Sequence, residues 1–119
     1  MVEPPCLAAI HAPDVAAVNR CINGAFPLMD RPIAWAAEGA DGYDCKGFGL
    51  LKAQALHARG IPYDAMRVLI VSNGSRTSAH LVLQVGAVVL DNLTPWLEAP
   101  SAYRVLQTWT VGAYYKIEP

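Results

Sequence analysis

The sequence predicts an α+β fold, with helices first and an antiparallel sheet after them. Two helical segments, "DVAAVNRCINGAF" and "CKGFGLLKAQALHARG", occupy the first half of the chain. The second half carries short apolar runs, "AMRVLIVS", "AHLVLQV", "AVVLDNL" and "VLQTWTV", parted by polar or glycine-containing turns. Gly86-Ala87 sits between the second and third runs, where a hairpin turn belongs.

Each element has a local reason. Asp14 after Pro13 is an N-cap for the first helix, and Gly24 with Pro27 is expected to end it. Ala17, Cys21 and Ala25 fall on one side of that helix, so Cys21 is expected to be a small core filler. "LMDRPIAWAAEGADG" follows as loop. In the second helix Phe48, Leu51, Ala55 and Ala58 share a face. Gly60 sits where a C-cap glycine belongs, and Pro62 prevents continuation. Gly47 and Gly49 cost this helix about 1 kcal/mol each relative to alanine. That cost points to close backbone packing, or to close approach by a ligand, at its first turn. "NGSRTS" is a polar loop between strands, and "TPWLEAP" a connection with room for a helical turn. "VLQTWTV" and "AYYKI" are expected to form a last hairpin around Gly112.

Size and charge narrow the function classes. A chain of 119 residues suits a single domain over residues 1–119. With 54% hydrophobic and 16% charged residues it can build a core. The net charge is −1, and Lys46, Lys52, Arg59, Arg67, Arg76 and Arg104 are scattered, which argues against nucleic acid as a partner. No apolar run approaches the roughly 20 residues that span a bilayer, so no membrane insertion is expected. The start "MVEPPCLAAIHAPD" lacks the positive region of a signal peptide, so residues alone predict either a cytoplasmic protein or an export signal outside this sequence. Three cysteines, Cys6, Cys21 and Cys45, have irregular spacing and no CxxC pair. That argues against a zinc knuckle or a thioredoxin-like motif and allows at most one disulfide.

The chemistry concentrates in "GYDCKGFGLLK". Cys45 sits where the main helix begins. Amide N–H groups and the positive dipole end favour a thiolate there. The same groups can hold a developing oxyanion. Of the three histidines, His57 lies about 18 Å further along the same helix and is expected on the surface. His11, between prolines, is expected in a loop without a role. His80 opens the strand "AHLVLQV". If Gly86-Ala87 is a two-residue turn, Val85 pairs with Val88, Gln84 with Val89 and Val82 with Asp91. Side chains alternate, so His80 shares a face with Asp91 on its diagonal, within about 7 Å. An aspartate between "VVL" and "NL" needs a partner when partly buried. Thiol, imidazole and acid can then act together: the histidine deprotonates the thiol, and the acid fixes the imidazole tautomer. In the competing structural reading Cys45 is a packed thiol and His80–Asp91 a buried polar pair.

In the blocks "YDCKGFGLLKAQALHARGIP", "AHLVLQV" and "VVLDNL", the sequence resembles the bacterial transglutaminase-like cysteine peptidases. These are periplasmic proteases that release large biofilm adhesins, within the papain and transglutaminase superfamily. The resemblance covers most of the chain. It implies a cysteine-bearing helix packed on an antiparallel sheet, with Cys45 as nucleophile, His80 as general base and Asp91 as orienting acid. It implies a hydrolase that cleaves a peptide or protein amide through an acyl-enzyme, and a periplasmic location. The same fold and triad would also serve acyl transfer to an amine, or persist in a non-catalytic binding module. Trp35 resembles an aromatic upstream of the family cysteine and could line a substrate groove, beside Asp44; core packing is an equal role for Trp35. Family members that release adhesins read Asp-Cys-Glu-Asp at the nucleophile, and those acids contribute to a calcium site. Here Asp44 remains, and Lys46 places a cation where calcium needs a carboxylate. The expectation is therefore no metal and no cofactor.

Overall fold

The computed structural model describes residues 4–26, 45–72 and 79–117. A short helix α1, Pro5–Ala8, precedes α2, Val15–Ala25. Asp14 caps α2 by accepting from the Ala17 N–H at 3.1 Å. The helix runs through Gly24 to Ala25 and buries Val18, Asn19, Cys21 and Ile22. Cys21 does more than fill space, since it forms a disulfide with Cys6 that ties α1 to α2. The main helix α3 spans Cys45–His57 and is buried on most sides, through Phe48, Leu50, Leu51, Ala53, Ala55 and Leu56. Ala58, expected on that face, is exposed. Gly60 closes the helix with a left-handed backbone, φ 105°. The Ile61 N–H reaches back to the Leu56 carbonyl at 3.1 Å.

A four-stranded antiparallel sheet follows in the order β3-β2-β1-β4. Its strands are β1, Met66–Ser72; β2, Ala79–Val85; β3, Val88–Leu90; and β4, Val105–Thr110. The β2–β3 hairpin pairs Val85 with Val88, Gln84 with Val89 and Leu83 with Leu90. At its turn Gly86 alone of the two central residues has positive φ, 59°, which is the type II′ pattern. Strand β3 stops at Leu90, so Asp91 lies just beyond the ladder.

Alternation splits the sheet into two faces. Val68, Leu81, Leu83 and Leu90 join Phe48 and Leu51 in the main core beneath α3. Leu69, Val71, Val82 and Val89 form a second cluster with Tyr103 packed against it.

The final segment departs from expectation. Val111–Tyr115 is helix α4 rather than a strand. Thr110 caps it by accepting from the Ala113 N–H at 3.1 Å. Lys116 then ends it in the left-handed region, φ 58°. The tyrosine pair that suggested strand alternation instead brings Tyr115 into the core, 2% exposed.

Candidate active site

Cys45 is the first residue of α3, half-buried and outside the disulfide. The sheet side fixes where that first turn lies. Tyr115 donates its hydroxyl to the Lys46 carbonyl at 2.7 Å. Gly49 allows this approach, because a Cβ there would stand 2.6 Å from the Tyr115 hydroxyl and 2.8 Å from a Leu81 methyl. Close backbone packing is thus what Gly49 provides.

Cys45 opens onto a cleft of about 250 Å³ that it shares with His80. Strand register builds the floor. Leu81 pairs with Ile70, and Ile70 with Gln107, so these side chains form one row across β2, β1 and β4. Tyr114 of α4 adds a wall.

His80 stands at the second position of β2, its side chain 11% exposed. Its Nε2 lies 2.8 Å from Asp91 Oδ1. Cys45 lines the same cleft and acts on the charge of the ring. With Nε2 turned to the carboxylate, Nδ1 is the ring nitrogen not engaged by Asp91. Burial alone would push the imidazole pKa down. The Asp91 and Cys45 hydrogen bonds, and the negative charge of both groups, outweigh it and raise the value to about 9.

Asp91 is 4% exposed. Its Oδ1 also accepts from the Leu93 N–H at 3.0 Å. Its Oδ2 accepts from the Tyr103 hydroxyl at 2.8 Å. Burial would raise its pKa, but the donors His80, Leu93 and Tyr103 bring it below the usual carboxylate value. The backbone is pinned as well, since Asn23 donates to the Asp91 carbonyl at 2.8 Å and to the Thr94 carbonyl at 3.0 Å.

Lys52 is the unexpected neighbour. It lies seven positions after Cys45, thus on the same side of α3, and is 1% exposed. Its ammonium stands 5.7 Å from the Phe48 ring centre. Burial lowers its pKa to about 7, with the charge of Asp91 opposing the shift. Neither Lys52 nor Tyr103 was anticipated. For Lys52 a signal existed: a lysine one turn after Phe48, between Leu51 and Ala53.

The remaining sequence candidates fall elsewhere. His57 is exposed, stacks on Tyr63 at 3.8 Å and bonds the Ile61 carbonyl through Nδ1. His11 is exposed. Trp35 and Asp44 lie outside the described residues.

Comparison with known proteins agrees with this architecture. The family model for bacterial transglutaminase-like cysteine proteinase, BTLCP, matches residues 10–113. Calcium-bound Legionella pneumophila LapG is similar in structure, with TM-score 0.67 and 23% identity, covering 82% of this chain and 64% of LapG. EGTA-treated LapG matches with TM-score 0.65 and 24% identity, covering 80% and 61% respectively. The chain thus spans less than two thirds of LapG's length, and at this identity the likeness shows the fold. A search of curated proteins gives no match.

One expectation is corrected. The absence of a cofactor was inferred from Lys46, yet the similar LapG structure is calcium-bound. A single lysine is poor evidence, because calcium takes six to eight oxygens and backbone carbonyls supply some of them. Among the described residues no three His, Cys, Asp or Glu side chains gather to hold a metal. With the helix-borne cysteine, the sheet-borne histidine and a family match over residues 10–113, the chain belongs to the bacterial transglutaminase-like cysteine proteinases.

Proposed function

We propose that the protein is a cysteine peptidase, one domain over residues 1–119, that hydrolyses an amide of a protein or peptide through Cys45, His80 and Asp91. The observation that carries the reading is the placement of His80, with Asp91 on Nε2 at 2.8 Å and Cys45 lining the same cleft.

The steps follow from that order. The Cys45 sulfur attacks the amide carbonyl carbon and forms a C–S bond, while His80 holds the thiol proton. The positive end of the α3 dipole favours the oxyanion. His80 passes its proton to the amine nitrogen, the C–N bond breaks, and a thioester remains. His80 then takes a proton from water, the hydroxide attacks the thioester, and the C–S bond breaks to give the acid. Asp91 keeps the N–H of the neutral ring on Nε2 and supports the charged form.

Location and calcium complete the proposal. The Cys6–Cys21 disulfide suits an oxidising compartment and favours export over the cytoplasm. Calcium, which LapG binds, is carried over as the ion to supply in assays. Among the described residues no helix is long and apolar enough to cross a membrane.

The test is mass analysis of a peptide library incubated with the protein in calcium-containing buffer, with and without added amines. New C-terminal carboxylates that disappear in Cys45→Ala support hydrolysis. Amine adducts in place of acids would show acyl transfer. No Cys45-dependent product in either arm would contradict the proposal.

A further inference from the structure

Asp91 is the group on which the orientation of His80 depends, and nothing in the strand ladder holds it, because β3 ends at Leu90. Its Oδ1 receives both His80 Nε2 and the Leu93 N–H. A carboxyl with contacts on one oxygen only can still turn about its Cβ–Cγ bond, a torsion with broad minima. The contact on the second oxygen comes from far along the chain, from the Tyr103 hydroxyl at 2.8 Å.

The segment that delivers this hydroxyl is itself anchored. Val89 and Glu98 exchange backbone hydrogen bonds of 2.8 and 3.0 Å. The turn Pro100–Ala102 leads into Tyr103, whose N–H bonds the Pro100 carbonyl at 3.1 Å. The next residue, Arg104, accepts at its carbonyl from the Ser72 N–H at 2.9 Å. The ring packs on the cluster of Leu69, Val71, Val82 and Val89. Tyr103 therefore enters the site from the sheet face opposite the core that carries α3.

We propose that Tyr103 is a positioning residue: its hydroxyl pins Oδ2 of Asp91, so that Oδ1 is presented to His80 Nε2 and Nδ1 is left for Cys45. The inference rests on the reading of Asp91 as the orienting acid. The titratable groups around Asp91 are His80 from β2, Lys52 from α3 and Tyr103 itself, and the charge of Glu98 acts on the phenol.

The test uses the full chain with ¹⁵N-labelled histidine, followed by NMR from pH 6 to 10, and needs no substrate. In the wild type, neutral His80 should be the Nε2–H tautomer. In Tyr103→Phe, which keeps the ring but removes the donor, a mixture of tautomers is expected, with the His80 midpoint lowered by about one pH unit as alignment with Asp91 loosens. Leu69→Ala thins the same apolar cluster at a position paired with Val82 rather than His80, and should leave both readouts in place. An unchanged tautomer in Tyr103→Phe, or a midpoint that stays or rises, overturns the proposal. So does an equal effect from Leu69→Ala, which would make the role one of packing. Asp91→Asn separates the two levels: if it leaves His80 unaltered, the Asp91 reading has failed and the Tyr103 proposal falls with it.

Discussion

At the scale of single residues, Lys52 shows how far burial can move a group. Its pKa is lowered to about 7, whereas an unfolded lysine titrates near about 10.4. Between those values the unfolded chain binds a proton that the folded one does not, so stability rises with pH. Below about 7 both states are protonated and the burial penalty is present in full. Relative to Lys52→Met, the wild type should therefore gain roughly 3–5 kcal/mol between pH 7 and 10, as read by urea denaturation. A flat difference would mean that Lys52 is not held as a buried base. His80 titrates with the opposite sign, since its raised value adds stability that is lost as pH climbs through about 9, but it is present in both proteins. Charge ordinarily marks a surface residue, which masks Lys52 in the sequence; its place one turn after Phe48 and seven residues after Cys45 is the signal that it points inward.

At the scale of elements, the close fit of α3 on the sheet is the feature the site depends on. Gly49→Ala should gain about 1 kcal/mol in helix propensity. It should lose more than that, because the new methyl meets the Tyr115 hydroxyl and Leu81 at 2.6 and 2.8 Å. A net destabilisation of about 1–3 kcal/mol is expected, with lower peptidase activity as the Tyr115–Lys46 bond is displaced. A Gly49→Ala protein as stable and active as wild type would refute this packing account. The glycine signal was legible because glycine inside a helix is costly, and the hairpin was legible because Gly86-Ala87 fixes its register. That register puts His80 and Asp91 on one face, although the expected Val82–Asp91 pair does not form because the ladder ends at Leu90. Helix α4 was not, because "AYYKI" alternates like a strand while the decisive events are the Thr110 cap and the burial of Tyr115. Tyr103 was illegible for a related reason: its partner is twelve residues away, and the turn that joins them has no periodic pattern.

At the scale of the whole molecule, the order of helices before an antiparallel sheet was readable from periodicity alone. How α1 joins the rest was not, because it depends on a cysteine pair that spacing leaves undetermined. The Cys6–Cys21 bond closes a loop with a sequence separation of 15. Reduction, or the double change Cys6→Ser with Cys21→Ser, should lower stability by about 2–4 kcal/mol in equilibrium unfolding. Equal stability of the two forms would show that α1 contributes nothing to the described core. Calcium marks the limit of motif reading at this scale, since one lysine beside the nucleophile said little about where cation ligands arise.

The most direct measurement is the rate of iodoacetamide alkylation at Cys45 at pH 6, in the wild type and in His80→Asn, read by peptide mass mapping. If His80 holds the thiol proton, the wild-type sulfur should react readily and the substitution should slow it about tenfold or more. Slow wild-type alkylation that is indifferent to His80→Asn would contradict the account at its centre.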